Sequence, residues 1–379
     1  MKKLIIEIVV FALPVLLWFI IEGFLPSNTY TWRPWEAMLF RSSHFAMGDF
    51  YHPNEELEMN SVGDLCYHTP FAIPKHEIWK TDIIGNRNDT YITDPDILIM
   101  GDSYAVGDRI TQDSTITNLL KSDLQNQPKI YNIAPAELSK LDYYLKYKLI
   151  SKPKLVIFIK SERYIPTTLE KTPDPQSPNS LKSKLKAELK HNATFNKLRV
   201  FLDKTFRMYS KNWVHARLSN KKGDGIPGKP GSNMFFWNIS SYANDPNLAR
   251  SPSDFEKSAQ RIITYKEYCD SMGIEFLFVP MPNKATVYFE NVPYEKQPAF
   301  IANLDSVLIG NNVKTVNVLQ LYNEYRKSNT KLLYHLDDMH WNPNGVQLVS
   351  KEIAKTIVAE YANLPDIEST LTDGKISTR

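Results

Sequence analysis

The chain opens on an apolar run and then alternates between polar and apolar positions. Leu4 to Ile21 is apolar except for Glu7 and Pro14, and the run is about as long as one bilayer span. Its flanks carry Lys2 and Lys3 before the run and Tyr30, Trp32 and Trp35 after it. Basic residues before a span stay in the cytoplasm, and aromatic residues favour the membrane interface. We therefore expect a membrane anchor over residues 1–26.

A cleaved signal peptide is the alternative interpretation of this run. The segment Ile20-Ile21-Glu22-Gly23-Phe24-Leu25 offers no small-x-small cleavage site, which favours an uncleaved anchor. The anchor predicts a single-pass protein of the cytoplasmic membrane with its amino terminus inside the cell. The remainder of the chain is then expected in the periplasm or at the cell exterior.

Short apolar runs alternate with amphipathic helical patterns from residue 91 onward. The runs predict strands at Asp96–Met100, Lys129–Ala134, Leu155–Ile159, Ile274–Val279 and Val313–Val318. The helical patterns predict helices at 114–124, 137–150, 298–308 and 346–361, and one more that Ser253 or Asp254 caps. This order predicts an α/β fold with a doubly wound, mostly parallel sheet and right-handed crossovers. Chemistry is then expected beyond the carboxyl ends of the strands.

Two stretches stand outside this alternation. Residues 27–90 hold prolines and short β-like runs, which predict a lead-in segment that packs on the main domain. Residues 165–250 combine a proline-rich linker with Lys/Arg-rich helices and predict an insertion or cap. Its basic helices either face solvent or contact the outer membrane surface. The main domain then comprises residues 91–164 and 251–365, followed by a tail at 366–379.

The composition indicates a folded protein without a nucleic-acid partner. Of the 379 residues, 42% are hydrophobic and 12% are aromatic, which is enough to bury a full core. The formal net charge of +3 is small for this length, and the aromatic residues follow no RNA-binding pattern. Cys66 and Cys269 either form a disulfide or stay free and buried. No metal-ligand spacing occurs in the sequence, and we expect no cofactor.

Ser103 directly follows the first predicted strand, in the sequence Gly101-Asp102-Ser103-Tyr104. Gly101 lets the chain turn tightly off the strand, so the serine emerges at the carboxyl edge of the sheet. There its hydroxyl can act as a nucleophile, and its N–H can face a developing oxyanion. An ordinary turn is the alternative for a Gly-Asp-Ser sequence on its own.

A second segment with candidate catalytic residues, Asp337-Asp338-Met339-His340-Trp341, lies just before the last predicted helix. A serine hydroxyl needs a base to accept its proton, and a histidine base needs a carboxylate that fixes its tautomer. His340 is the predicted base, and either Asp337 or Asp338 can orient it. A capped loop in which Asn344 begins the helix is the structural alternative.

The two segments together resemble the SGNH (GDSL-type) superfamily of esterases and acyltransferases, whose first block has Gly-Asp-Ser and whose last has Asp-x-x-His. The closer likeness is to the alginate O-acetyltransferase group of the AlgJ and AlgX type, because Asp338-Met339-His340-Trp341 matches its Asp-x-His-Trp signature. Two further stretches resemble that group, namely Pro280-Met281-Pro282-Asn283-Lys284 and Ser161-Glu162-Arg163-Tyr164. The resemblance covers residues 80–360 apart from the insertion.

The resemblance also implies oxyanion and substrate-binding positions. The second block of the superfamily usually supplies a glycine N–H, and here Ala134 stands in its place. The third block usually supplies an asparagine side chain, for which Ser161 or Arg163 is the expected substitute, unless Arg163 only forms a structural ion pair. Lys284 is expected to bind an anionic sugar or acyl group, or alternatively to cap a strand end.

The function implied by the resemblance is O-acyl transfer, with acetyl as the expected group, onto a cell-surface or secreted polysaccharide. Ser103 would carry the acyl group, and a multispanning membrane O-acyltransferase would supply it to the anchored domain. A carbohydrate esterase is the nearest alternative, since it differs only in admitting water as acceptor. A catalytically silent glycan-binding protein on the same fold is the third, which the missing asparagine favours and the intact Ser103 and His340 oppose.

Overall fold

A computed structural model of the protein describes most of the chain. The described residues are 1–29, 31–40, 51–124, 128–165, 173, 180–207, 210–211, 214, 218, 223–237, 252–292 and 299–361. The predicted tail at 366–379 and most of the proline-rich linker at 172–178 lie outside these ranges.

The strands and helices of the described residues are named here in chain order. The strands are β1 (Glu56–Ser61), β2 (Lys75–Lys80), β3 (Ile97–Gly101), β4 (Ile130–Asn132), β5 (Leu155–Ser161), β6 (Gly225–Pro227), β7 (Phe235–Trp237), β8 (Glu275–Met281) and β9 (Lys314–Thr315). The helices are α1 (Lys2–Phe24), α2 (Pro34–Met38), α3 (Ser103–Val106), α4 (Ile116–Asp123), α5 (Leu138–Lys146), α6 (Leu181–Leu189), α7 (Ala193–Phe206), α8 (Pro252–Ser271), α9 (Lys284–Val287), α10 (Phe300–Gly310), α11 (Val318–Ser328) and α12 (Pro343–Glu360).

A five-stranded parallel sheet in the order β4-β3-β5-β8-β9 forms the centre of the main domain. This confirms the predicted α/β fold with a parallel sheet. Strands β3 and β5 are buried along their whole length, as expected where helices cover both faces of a sheet. The chain leaves β3 to one side for β4 and then crosses to the other side for β5. This switch point places a crevice at the carboxyl end of β3.

Alternate residues of β3 enter two separate hydrophobic clusters. Ile97 and Ile99 belong to a cluster that also holds buried residues of α4, α11 and α12. Leu98 and Met100 belong to another cluster, shared with α5, α8 and α10. Because side chains alternate across a strand, the apolar run of β3 packs against helices on both of its faces. The result is a rigid strand whose end positions the residues that follow.

The lead-in forms a β-hairpin that reaches the same core. Strands β1 and β2 pair antiparallel, and Trp79 of β2 is fully buried in the cluster that holds Ile97 and Ile99. The guanidinium of Arg87 lies 3.7 Å from the centre of the Trp79 ring. Arg87 also donates to the carbonyls of Gly107 and Ile110, in the segment that follows Ser103. The lead-in therefore contacts the loop that surrounds the candidate nucleophile.

Helix α11 was not expected from the sequence. The predicted strand Val313–Val318 shortens to β9 because the side chain of Asn317 accepts the N–H of Gln320 at 2.9 Å and caps a helix that begins at Val318. Val318 and Tyr322, four residues apart, are its buried positions. Asn317 before apolar residues at helical spacing could have indicated this helix. The β-branched residues just before it favoured a strand instead.

Helix α1 is long and apolar enough to cross a membrane, by length and composition. An anchor and a signal sequence both satisfy that test.

Cys66 and Cys269 are free and buried, so the disulfide alternative is wrong. Burial raises the pKa of each thiol to about 12, which makes both poor nucleophiles at neutral pH.

Candidate active site

Ser103 lies at the switch point of the sheet because Gly101 turns the chain sharply. Gly101 has a φ of +142°, and a Cβ at this position would lie 1.8 Å from the carbonyl oxygen of Ile159 on β5. Only glycine fits so close to the neighbouring strand. Asp102 then caps α3, its side chain accepting the N–H of Tyr104 at 3.1 Å. The Ser103 hydroxyl follows at the carboxyl edge of the sheet.

Ser103, His340 and Asp338 form a hydrogen-bonded chain. Nε2 of His340 lies 2.9 Å from the Ser103 hydroxyl oxygen, and Nδ1 lies 2.6 Å from Oδ1 of Asp338. The same Asp338 oxygen accepts the backbone N–H of His340 at 2.9 Å. Asp338 thus fixes the ring so that, when the imidazole is neutral, Nδ1 carries the proton and Nε2 faces the serine as an acceptor. This is the geometry that serine nucleophiles require.

Asp337, the other carboxylate predicted to orient His340, is hydrogen-bonded to the lead-in. Its Oδ2 accepts the N–H groups of Gly63 and Ile73, each at 2.9 Å, and its Oδ1 lies 2.6 Å from Nζ of Lys75. The expectation that Asp337 can orient His340 is therefore corrected, because the two neighbouring carboxylates point to different partners. Asp337 instead ties the histidine loop to the lead-in.

A buried arginine supports Asp338 from behind. Nε of Arg109 lies 3.2 Å from Oδ2 of Asp338, and the Arg109 side chain is fully buried. Asp64 completes the set, since its N–H donates to the same Asp338 oxygen at 2.7 Å and its carboxylate pairs with Arg109 at 2.7 Å. Sequence reasoning missed Arg109 and Asp64. Ion pairs between residues this distant in sequence leave no local sequence pattern. The φ of +63° at Arg109 cannot be predicted from the sequence either.

The charges around His340 favour its protonated form. Burial alone would lower its pKa, but the carboxylates of Asp338 and Asp108 outweigh burial and raise the pKa to about 9. Asp108 lies 3.9 Å from Nε2. Burial acts to raise the pKa of Asp338, yet the His340 ring and Arg109 hold it well below the usual range. Asp338 is therefore a carboxylate at any physiological pH.

The activity of this site should rise with pH through the pKa of His340. Only neutral imidazole can accept the serine proton, and the raised pKa means that this form gains population above the ordinary histidine value of 6.5. We expect kcat/KM for a neutral ester to increase from pH 6 to pH 9, as measured by initial rates. The Asp338→Asn variant should titrate at lower pH, since the stabilising charge is gone. A wild-type profile that falls over this range would contradict the assignment.

Tyr104 holds the histidine loop over the nucleophile. Its hydroxyl donates to the carbonyl of Met339 at 2.9 Å, and its ring lies 5.2 Å from the His340 ring. The buried Trp341 ring packs edge-on against Tyr104 at 5.5 Å. The residue after the nucleophile and the residue after the base are thus packed together, which keeps Ser103 and His340 at hydrogen-bonding distance.

Two of the predicted oxyanion donors are engaged elsewhere. The N–H of Ala134 donates to the side-chain oxygen of Asn132 at 2.8 Å. The N–H and hydroxyl of Ser161 both donate to Oδ2 of Asp102, at 2.8 and 2.6 Å. These expectations are corrected, because the Ala134 N–H is bound by Asn132 and Ser161 holds Asp102, the residue before Ser103.

Arg163 and Ser103 are the remaining donors from these segments. The Arg163 guanidinium stacks on the ring of Trp237 in β7, 4.2 Å from its centre. Stacking occupies the face of a guanidinium and leaves the N–H groups at its edge to bind oxygen. Ser103 is the first residue of α3, where backbone N–H groups have no acceptor within the helix. Both therefore stay candidates for binding the acyl oxygen.

Lys284 supports the fold and does not present a free ammonium to a substrate. Its buried Nζ donates to the carbonyls of Phe235, His335, Leu336 and Asp338, at 2.6 to 3.1 Å. Burial lowers its pKa to about 7. The expectation of an anion-binding lysine is corrected, since the N–H groups of Nζ are already hydrogen-bonded to backbone carbonyls, most of them in the loop that carries Asp338. Lys284 thus pins the catalytic loop to β7.

Replacing Lys284 by methionine should destabilise the protein. The carbonyls that Nζ serves would be buried without a donor, and one such loss costs about 1–3 kcal/mol. We expect the free energy of unfolding, measured by urea denaturation, to fall by about 3 kcal/mol. Lys331→Met, at an exposed position, is the matched control and should leave stability unchanged. Equal stability of the two variants would contradict this role.

Comparison with known proteins agrees with the motifs. Residues 241–379 match the family described as the SGNH hydrolase-like domain of acetyltransferase AlgX. No curated protein matches the chain. One solved structure aligns over 71% of this chain and 99% of its own at 12% identity, but its TM-score of 0.31 supports no argument. Among the described residues, no group of three or more His, Cys, Asp or Glu could hold a metal ion. The family match confirms, over residues 241–379, the resemblance to the AlgX-like group of the SGNH superfamily.

Proposed function

We propose that the protein is an extracytoplasmic O-acyltransferase, acting through an acyl-enzyme on Ser103. The observation that carries the proposal is the hydrogen-bonded chain from Ser103 through His340 to Asp338, at the carboxyl end of β3. The match of the histidine segment to an AlgX-type acetyltransferase domain supports acetyl as the group transferred. It also supports a polysaccharide as the acceptor.

The geometry accounts for both halves of such a reaction. In the first, the Ser103 oxygen attacks the acyl carbon while Nε2 of His340 takes its proton, and His340 then protonates the departing group as the old acyl bond breaks. In the second, a sugar hydroxyl gives its proton to Nε2 and attacks the same carbon. Ser103 leaves the carbon and regains its proton from His340. Asp338 stabilises the imidazolium in both halves.

The membrane helix gives the proposal its setting. We propose that α1 is an uncleaved anchor and that the domain faces the periplasm or the cell exterior. A multispanning membrane O-acyltransferase would supply the acyl group from the cytoplasmic side. The apolar surface of α1 and the two lysines at its start support this topology.

Acyl transfer and hydrolysis are separated by the fate of the acyl group. Purified protein is given p-nitrophenyl acetate together with a series of oligosaccharides, and both acetylated sugar and free acetate are quantified by mass spectrometry and enzymatic assay. A transferase yields acetylated sugar whose amount rises with acceptor concentration. Free acetate alone, unaffected by any acceptor, would favour the esterase alternative. If neither product forms and a fluorophosphonate probe does not label Ser103, the catalytically silent glycan-binding protein would be favoured.

A further inference from the structure

Helix α7 of the insertion has a polar side that is fixed to the lead-in. Oδ2 of Asp203 lies 3.0 Å from Nε2 of the buried His52, and Nζ of Lys204 lies 3.3 Å from the carboxylate of Glu55. Arg207, just beyond the helix, donates to the carbonyl of Glu36 at 3.1 Å. These contacts set the rotation of α7 about its axis, because each would break if the helix turned.

The opposite side of α7 is apolar and exposed. Leu198, Leu202 and Phe206 recur every four residues and are 53%, 43% and 56% exposed. Side chains four residues apart lie on one face of a helix. A contiguous apolar surface of this kind marks a contact with another apolar phase.

This apolar stripe continues the surface of α1. The rings of Phe24 and Phe201 lie 5.3 Å apart, and those of Phe19 and Phe206 lie 6.2 Å apart. Later positions of α7 thus meet earlier positions of α1, so the two helices run antiparallel. A Cβ on Gly23 would come within 2.3 Å of the Thr205 hydroxyl oxygen, so the α1 backbone lies directly against the side chains of α7.

Polar groups at the end of α1 find partners in the segment after α7. Glu22 is fully buried, and its carboxylate accepts the N–H of Ser210 at 3.0 Å. The indole N–H of Trp18 donates to the Ser210 hydroxyl at 3.2 Å. A carboxylate near the end of a membrane span is costly unless donors reach it, and Ser210 donates to Oε1 of Glu22 with both its N–H and its hydroxyl.

We infer that the stripe of α7 inserts into the outer leaflet of the membrane beside α1, with lipid as its occupant. The stripe is contiguous with a helix long and apolar enough to span a bilayer, and its polar side cannot rotate away from the lead-in. The inference rests on the membrane attachment in the proposed function. It makes the insertion a second membrane contact that fixes the orientation of the active site.

Collision accessibility of spin labels tests this placement in the full chain. With Cys66 and Cys269 replaced by serine, single cysteines are introduced as Leu202→Cys, Phe206→Cys, Leu13→Cys and Lys355→Cys and labelled with a nitroxide. The protein is reconstituted in vesicles of phosphatidylethanolamine and phosphatidylglycerol. We expect labels at 202, 206 and 13 to collide preferentially with oxygen, which partitions into lipid. The label at 355, on the exposed face of α12, should collide preferentially with a water-soluble nickel complex.

The outcomes separate this inference from the proposed function. Labels at 202 and 206 that behave like the one at 355, while the label at 13 lies in lipid, would overturn the α7 placement and leave the anchor intact. A label at 13 in water would overturn both the anchor and the inference. Neither reading depends on catalysis, because accessibility is measured without substrate.

Discussion

Replacing Ser103 by alanine is expected to abolish acyl transfer. Its hydroxyl is the group that lies 2.9 Å from Nε2 of His340, and without it no acyl-enzyme can form. In serine enzymes, loss of the nucleophile lowers kcat by about 10⁶-fold. The variant should release no p-nitrophenol above the uncatalysed rate, and a fluorophosphonate probe should fail to label it.

A matched serine separates loss of the nucleophile from loss of the fold. Ser328→Ala, at an exposed position at the end of α11, should keep wild-type turnover and labelling. Circular dichroism of Ser103→Ala should match that of the wild type, since the hydroxyl is small and partly exposed. Undiminished labelling of Ser103→Ala would place the nucleophile elsewhere and refute the assignment.

Asp338→Asn should lower kcat severely, while Asp337→Asn should not. An asparagine keeps the shape of Asp338 but loses its charge. If its amide N–H faces Nδ1, the imidazole proton moves to Nε2, which can then no longer accept the serine proton. The corresponding change in serine proteases lowers kcat by about 10⁴-fold. Asp337 contacts Lys75 and lead-in N–H groups, so its amide should lower stability but keep kcat within about tenfold.

Steady-state kinetics on both aspartate variants decides between the two carboxylates. The urea midpoint of each variant, measured in parallel, identifies any loss of folded protein. Equal losses of kcat in folded Asp337→Asn and Asp338→Asn would show that the pair acts as a unit and would contradict the division of roles.

The parallel sheet could be predicted because its strands are local patterns. The buried run of β3 is bounded by Pro95 and Gly101, and such a run between breakers is typical of a strand covered on both faces. Placement of Ser103 followed from the edge at which parallel strands end, whereas His340 was identified from the residues around it. Helix α11 was missed because residues 313–318 are rich in valine, and its cap at Asn317 lies inside that run.

The surroundings of the triad were beyond sequence reasoning for a physical reason. Whether Ala134 offers its N–H depends on the rotamer of Asn132, and whether Lys284 faces a ligand depends on four carbonyls from two distant segments. Arg109 meets Asp338 only after folding brings together residues far apart in the chain. Periodicity and spacing report on elements, whereas these contacts are decided by tertiary packing.

Intact-protein mass spectrometry during turnover would detect the Ser103 acyl-enzyme itself. The protein is mixed with p-nitrophenyl acetate, quenched in acid within the first turnovers, and weighed, and the modified peptide is then sequenced. We expect one added acetyl group, located on Ser103, which disappears when an oligosaccharide acceptor is added before the quench. An acetyl group on any other residue, or turnover without any acetylated protein, would contradict the Ser103 acyl-enzyme.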